Sequence, residues 1–595
     1  MKSLTGLDAT FLYLETPEMP MHVGSFNLCE LPEGFKGSFH KEVTKHIAKR
    51  MHLAPVFSRK LVFMPLDLGH PLWVEADAVD ISFHIRRADP ANTAAKKGAA
   101  PMTLAEAHKL CAELHGELID RNFPLWEFYV FDRIQLPNSQ GKAQGGKVVA
   151  GFFSKIHHAA LDGKGGVLLA NAMLDLSPVP RDVAPPDPAR RRKLESDLKL
   201  GKMIGSVFSS SLGQIVKAAK ALPSAASTLG STLARQSIGP ATGIKAKMPM
   251  RLAPQTPFNA GIASGRVFVT ATVPLAECKA MGKAVGGSFN DIVLWICSTA
   301  LRSYLTQHHS LPKKSLVAAM PVSLRENDKS GGQTDASNLG NQVSMSLVEL
   351  GTHLAHPLKR MNAIMVSTAK VKTSIQSLKG LLPTDYPSLL APWLVGGAAK
   401  IALNAYGKSG IASRLPTVAN LAISNVPGPP VPLYLAGAQF LSFHPLSIIM
   451  HGLALNITIQ TYAGHVDFGI IADKKALPYA KDLAKAIEAA FTEAQGLMAT
   501  APAPAAPAVV MPSPAVPVPK ASVKTPKTLV TQVTKSARLE TPLSVKTNKR
   551  TDTVLTSNNK TISNASSHGK SAAKTINPIK RTAKAKPKTP AVNAA

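Results

Sequence analysis

Two long stretches of this chain, residues 1–183 and 255–498, each alternate strand-like and helical runs, and a Pro-bounded basic break divides them. A chain patterned this way has to build sheet and helix layers twice, so it is read as α/β with two lobes. VVAGFFSKI reads as a strand of mostly apolar residues, and GRVFVTATVPL alternates apolar with small or polar positions. LALNITIQTYAGHVDFGIIAD reads as a hairpin turning near Ala463 and Gly464. DIVLWICSTALRSYL carries helical spacing of its apolar residues, with Ser288, Asn290 and Asp291 as cap candidates before it. No internal repeat of fixed period is visible.

The remaining segments cannot be core. Residues 184–254 form a basic inter-lobe linker in which Ile204, Phe208, Leu212, Ile215 and Ala219 recur at intervals of three or four beside Lys199, Lys202, Lys217 and Lys220. That pattern predicts a basic amphipathic helix, lying either in a membrane interface or on the body of the protein. From residue 499 a Pro/Ala linker leads into a Lys-spaced tail; residues 501–595 hold 16 Lys+Arg, 2 Asp+Glu and no aromatic residue, which predicts a disordered extension. Such a tail supports only nonspecific attraction to phosphate, so nucleic acid stays open as a partner through it. The remaining 500 residues are themselves basic, with 52 Lys+Arg against 35 Asp+Glu, and an anionic partner is expected for the body as well.

Four cysteines, Cys29, Cys111, Cys278 and Cys297, lie far apart with no C-x-x-C pair, so neither a disulfide framework nor a zinc ligand set is expected and a reducing, cytosolic compartment fits. The opening residues carry Asp8 and Glu15 within their first apolar stretch and do not read as a signal peptide. No apolar run reaches the roughly 20 residues of a membrane-spanning helix, so any membrane attachment is expected to be peripheral.

The most informative stretch is KIHHAALDGKGG: His157, His158, Asp162 and Gly163, placed where a strand ends. Chance produces this HHxxxDG spacing in such a chain with a probability on the order of one in a thousand. Adjacent strand residues project to opposite faces, so only one of the two histidines is expected in a site, and no shared metal ion is expected. A histidine can take a proton from an alcohol and return one to a leaving group, which is the task of acyl transfer. Asp162 could orient the strand end, with Gly163 allowing a tight turn. Taken alone, the three polar residues could equally satisfy one another in a core turn.

HHAALDG, together with the PLW of Pro124, Leu125 and Trp126 and the ND of Asn290 and Asp291, resembles the bacterial wax ester synthase/diacylglycerol acyltransferase family. Further similar blocks run in the family's order: LDATFLYLETPEMPMHVG, DISFHIRR around His84, TPFNAGI at Thr256, PVSLR at Pro321, LGNQVS at Gly340 and Asn341, and SNVPGPP at Ser424. The resemblance implies a two-lobed fold like that of the coenzyme-A-dependent acyltransferases related to chloramphenicol acetyltransferase. It also implies transfer of a long-chain acyl group from acyl-CoA to diacylglycerol or a fatty alcohol, with no cofactor beyond that co-substrate.

By the same resemblance His158 is the general base, with His157, Asp162 and Gly163 supporting it. Asn290 is a candidate oxyanion donor or merely a helix cap, and Pro124, Leu125 and Trp126 read as structural, Trp126 packing a wall. The tail and the linker depart from the family pattern. Both are basic, and both could hold a cytoplasmic enzyme peripherally on an anionic membrane or lipid-inclusion surface. An acyltransferase with another hydroxyl acceptor, and an inactive lipid-inclusion or nucleic-acid-binding scaffold, are the competing readings.

Overall fold

The structure is a computed structural model in which residues 2–63, 70–88, 100–138, 146–161, 165–186, 252–323, 343–378 and 417–500 are described. The basic helix expected at 204–219, the tail from 501, Asp162, Gly163, Gly340 and Asn341 lie outside them. The nine principal strands are β1 (His22–Glu30), β2 (Trp126–Gln135), β3 (Val148–His157), β4 (Arg266–Pro274), β5 (Val317–Ser323), β6 (Val343–Glu349), β7 (Leu421–Val426), β8 (Leu455–Tyr462) and β9 (His465–Asp473). The helices used below are α1 (Gly6–Leu14), α2 (Phe39–Ala48), α3 (Leu104–Gly116), α4 (Gly165–Met173), α5 (Leu275–Ala284), α6 (Phe289–Gln307), α7 (Pro357–Leu378) and α8 (Ala480–Thr500).

The first sheet is centred on β1, β3 and β2, paired antiparallel in that order. From Val149 to His157 every residue of β3 is buried, which is why its sequence reads as an apolar run rather than an alternation. The second sheet has the order β6-β5-β7-β8-β9-β4. Against it packs α6, buried continuously from Asp291 to Leu301 in one cluster with residues of α5, α7 and α8. Each fully buried Leu or Ile there contributes about 1.5–3 kcal/mol by leaving water. The hairpin of β8 and β9 turns at Ala463 and Gly464, both at positive φ (43° and 90°), as the two-residue turn of a twisted hairpin requires.

One amendment to the two-lobe division follows from the pairing. Residues 434–446 belong by sequence to the C-terminal stretch 255–498, yet their short strands join the first sheet: Gln439 and Phe440 pair with Glu30 and Cys29, and His444 to Leu446 pair with Phe26 to Gly24. Without them β1 would present unpaired backbone groups along an open edge. The chain therefore crosses between the lobes instead of finishing one before beginning the next, and the crossing segment lines the cleft described below.

Candidate active site

Strand β3 ends at His157, and a single 3-10 turn, His158–Ala160, follows. Two carbonyls clamp this corner: His157 N–H donates to Leu125 O at 3.0 Å, and His158 N–H donates to Met21 O at 2.8 Å. The PLW segment thus acts first through its backbone, with Leu125 holding the strand end. Pro124, Leu125 and Trp126 are all buried. Trp126 donates its indole N–H to Phe57 O at 3.2 Å and is stacked on His84 at 4.2 Å, so it forms a packed wall.

His157 is completely buried. Its Nδ1 accepts the N–H of Ala159 at 3.1 Å, which leaves the ring proton on Nε2, 3.2 Å from Glu15 Oε1. Glu15, just beyond the end of α1, also accepts Met21 N–H at 3.1 Å and two bonds from Arg121 at 2.6 and 3.0 Å. Burial alone would raise the Glu15 carboxyl; His157, Arg121 and the Met21 N–H outweigh it and bring it down to about 2. On the same face of β3, two residues back, the fully buried Lys155 pairs with Glu127 at 3.0 Å, and Tyr129 donates to the same carboxylate oxygen. His157 is therefore part of a buried polar layer, and Glu15, which the sequence reading used only to reject a signal peptide, is its anchor.

His158, the first residue of the 3-10 turn, is half-buried. Its ring lies flat on Phe11 of α1, with centroids 3.9 Å apart and planes 18° apart. Nδ1 has no partner elsewhere among the described residues. Desolvation brings the imidazole down to about 4, opposed by the residue's own backbone carbonyl, so the ring is neutral at pH 7. The contact with Phe11 had no signal in the histidine motif; it comes from the LDATF block that forms α1.

The ND motif divides in the structure. Asp291 completes a capping box with Ser288 at the start of α6, accepting Ser288 N–H at 2.7 Å while Ser288 Oγ accepts Asp291 N–H, and it also accepts the Thr368 hydroxyl at 2.7 Å. Asn290, offered as a cap candidate, does not cap the helix. Its Oδ1 accepts Asn425 Nδ2 at 3.3 Å, joining α6 to the SNVPGPP segment. In that segment Gly428 is required, because a Cβ there would stand 2.1 Å from Thr461 O.

Two cavities flank the motif. One, of about 860 Å³, runs between the sheets; β1, β3 and α4 line one side, Ser424, Val426 to Gly428, Thr458 and Gln460 the other, with Ile156 and Leu161 on either side of His158 in sequence. Its size is within the ~300–1,000 Å³ of small-molecule sites. The other, of about 230 Å³, is lined by Ala159 and Ala160 together with Thr5, Asp8, Arg59 and Trp73. Among the described residues no three or more His, Cys, Asp or Glu side chains are grouped to hold a metal ion, and no single helix is long and apolar enough to cross a membrane.

Residues 4–293 match the wax ester synthase/diacylglycerol acyltransferase catalytic domain, and residues 339–495 match the C-terminal domain of the same family. A putative diacylglycerol O-acyltransferase of Mycobacterium tuberculosis is 31% identical over 496 residues, covering 82% of this chain and 98% of the relative. The chain belongs to the wax ester synthase/diacylglycerol acyltransferase family. The family's O-acyltransferase WSD from Acinetobacter baylyi is 29% identical over 507 residues, covering 84% of this chain and 98% of that one. The solved wax ester synthase/diacylglycerol acyltransferase of Marinobacter aquaeolei VT8 superposes with a TM-score of 0.56 at 25% identity, over 84% of this chain and 100% of that structure. As a member of this family the chain is an acyltransferase with the two-lobed α/β fold. The catalytic-domain match runs through the linker and into α6 as far as Val293, so the family's domain boundary does not coincide with the change of sheet.

Proposed function

We propose that the enzyme transfers a long-chain acyl group from acyl-CoA to the hydroxyl of a diacylglycerol or a fatty alcohol, with His158 as general base. The observation that carries this reading is the His158 ring: neutral, half-buried, stacked on Phe11, with its neighbours lining a cavity on each side. Nδ1 is buried, and the exchange is assigned to Nε2. The acceptor O–H gives its proton to Nε2 as the oxygen bonds to the thioester carbonyl carbon. The tetrahedral intermediate then expels the CoA sulfur, which takes the proton back from Nε2, so ester and free thiol leave and the imidazole is restored. Burial of the ring keeps it unprotonated between turnovers, and the developing oxyanion is what favours its charged form in the transition state. Release of CoA from palmitoyl-CoA with dioleoylglycerol or with hexadecanol tests the reading. Loss of both products in His158→Ala, with folding retained, is the expected result.

An anionic membrane or lipid-inclusion surface is the partner that the charge supports. Lys41 and Lys45 of α2, and Lys49 at its C-terminal cap, form an exposed stripe. Lys45, Lys49, His52 and Arg181, with Glu42 and Asp182 among them, line a groove of about 760 Å³, and Arg181, paired with Asp175, also lines the inter-lobe cleft. Beside it Leu176 and Val179 are 76% and 75% exposed. Cationic and apolar side chains at one cleft mouth suit delivery of a water-insoluble acceptor from such a surface. Flotation with phosphatidylglycerol vesicles should fall in Lys45→Glu/Lys49→Glu and at high salt; binding unchanged in both would remove this partner.

A further inference from the structure

The β1–β3 floor of the inter-lobe cleft is apolar except at one place. Val23, Ser25 and Asn27 of β1 stand opposite Ile156, Ser154 and Phe152 of β3, and strand alternation puts all six on the face that lines the cleft. Ser25 and Ser154 hydroxyls are 3.1 Å apart, and Asn27 Nδ2 donates to Ser25 Oγ at 2.9 Å and to Phe152 O at 3.4 Å. Asn27 is 1% exposed, and its Oδ1 has no hydrogen-bond partner among the described residues. A buried acceptor left unpaired is unfavourable and is seldom kept in a native structure without a reason. The amide nitrogen is used locally, and it is Oδ1 that is left without a partner among the described residues.

Position gives the clue to its use. Ser154 precedes His158 by four residues and Phe152 by six, so at about 3.3 Å per residue the polar group lies ~13–20 Å along the strand from the motif histidine. That is the reach of the middle and outer part of a long alkyl chain whose reacting carbon is held at His158. A plain methylene chain leaves Asn27 Oδ1 unpaired, and a keto or ester oxygen, which only accepts, does the same. A hydroxyl satisfies the group completely, donating to Oδ1 while accepting from a serine hydroxyl.

We propose that Asn27, Ser25 and Ser154 form a subsite for a hydroxyl carried far along the alkyl chain of a substrate. The inference rests on the reading of His158 as the reacting centre. The hydroxylated chain can come from the acyl donor or from the acceptor alcohol, and full-length protein distinguishes the two: 12-hydroxystearoyl-CoA is compared with stearoyl-CoA on hexadecanol, and octadecane-1,12-diol with octadecan-1-ol on stearoyl-CoA. In one of these pairs kcat/KM should favour the hydroxylated member by on the order of tenfold, the usual worth of satisfying one buried acceptor. The preference should disappear in Asn27→Leu, with Ser154→Ala as the second variant should that protein not fold. Calorimetric binding of free 12-hydroxystearate against stearate makes the same comparison without turnover. If no pair is turned over but the hydroxy acid still binds more tightly to the wild type than to Asn27→Leu, the reading of His158 fails and the subsite stands. Equal kcat/KM in both pairs together with equal binding, or a preference that survives in both variants, overturns the subsite.

Discussion

Two adjacent histidines, one ending β3 and one opening the 3-10 turn after it, stand in contrasting surroundings. His157 is sealed, its proton directed at Glu15 and its other nitrogen occupied by Ala159 N–H. His158, one residue later, is half-buried against Phe11, and its Nδ1 has no partner beyond its own residue among those described. A buried imidazole with both nitrogens directed at fixed groups is placed to hold the fold, since moving its proton would disturb the pairing with Glu15. An imidazole not fixed in this way, with cavity-lining residues on either side of it in sequence, is free to exchange one. The contrast predicts different failures on mutation.

The largest effect is expected at His158. His158→Ala should lower kcat for CoA release by at least roughly 10²–10⁴-fold, the worth of a placed base, while the urea midpoint moves little. In contrast, Arg121→Met leaves the buried Glu15 carboxylate short of two charged donors and should cost about 1–3 kcal/mol in urea unfolding, less than for a sealed pair because Arg121 is about one-third exposed. His157→Ala should cost about as much stability, through the lost Ala159 acceptor, and leave measurable turnover. Equal loss of turnover in both histidine variants would erase the distinction between the two residues.

Acid sharpens the same comparison. Desolvation holds His158 at about 4 and, with nearby cations also disfavouring charge, His108 and His115 at about 3, against an ordinary 6.5. These groups are neutral when folded and bind protons when unfolded, so stability falls as pH drops below 6.5 and continues falling to about 3. Glu15, ionised in the fold down to about 2, adds stability that is present above 4.5 and lost below it. Activity should therefore stay level through pH 6.5 and disappear together with circular dichroism at lower pH. An activity loss centred at 6.5 with the fold intact would mean that His158 is solvated like a surface histidine.

How much of this was legible in the sequence follows from the range of the forces involved. The buried run of β3 and the turn at Ala463 and Gly464 are local patterns, but strand parity does not separate the two histidines, because the strand stops at His157 and His158 opens a 3-10 turn. Glu15 and Phe11 meet the motif across more than 140 residues, and no spacing rule reaches that far. The crossing of residues 434–446 into the first sheet was invisible for the same reason, since strand propensity does not name a partner.

Asn290 gives the smallest expected effect. The capping box of Ser288 and Asp291 is complete without it, and its side-chain bond to Asn425 is 3.3 Å long and part-buried. Asn290→Ala should then cost about 0.5–1.5 kcal/mol of stability, and Asp291→Ala, losing the cap and the Thr368 bond together, should cost more. Kinetics separate this tether from the oxyanion role suggested by the sequence. Removing an oxyanion donor costs roughly 10²–10³-fold in kcat. A tether between α6 and the SNVPGPP wall of the cleft should instead act mainly on KM, because it holds the wall against which the chain binds and touches no developing charge. A fall in kcat of that size with KM unchanged would move Asn290 from the cleft wall into the chemistry, and the site would then extend across both sheets.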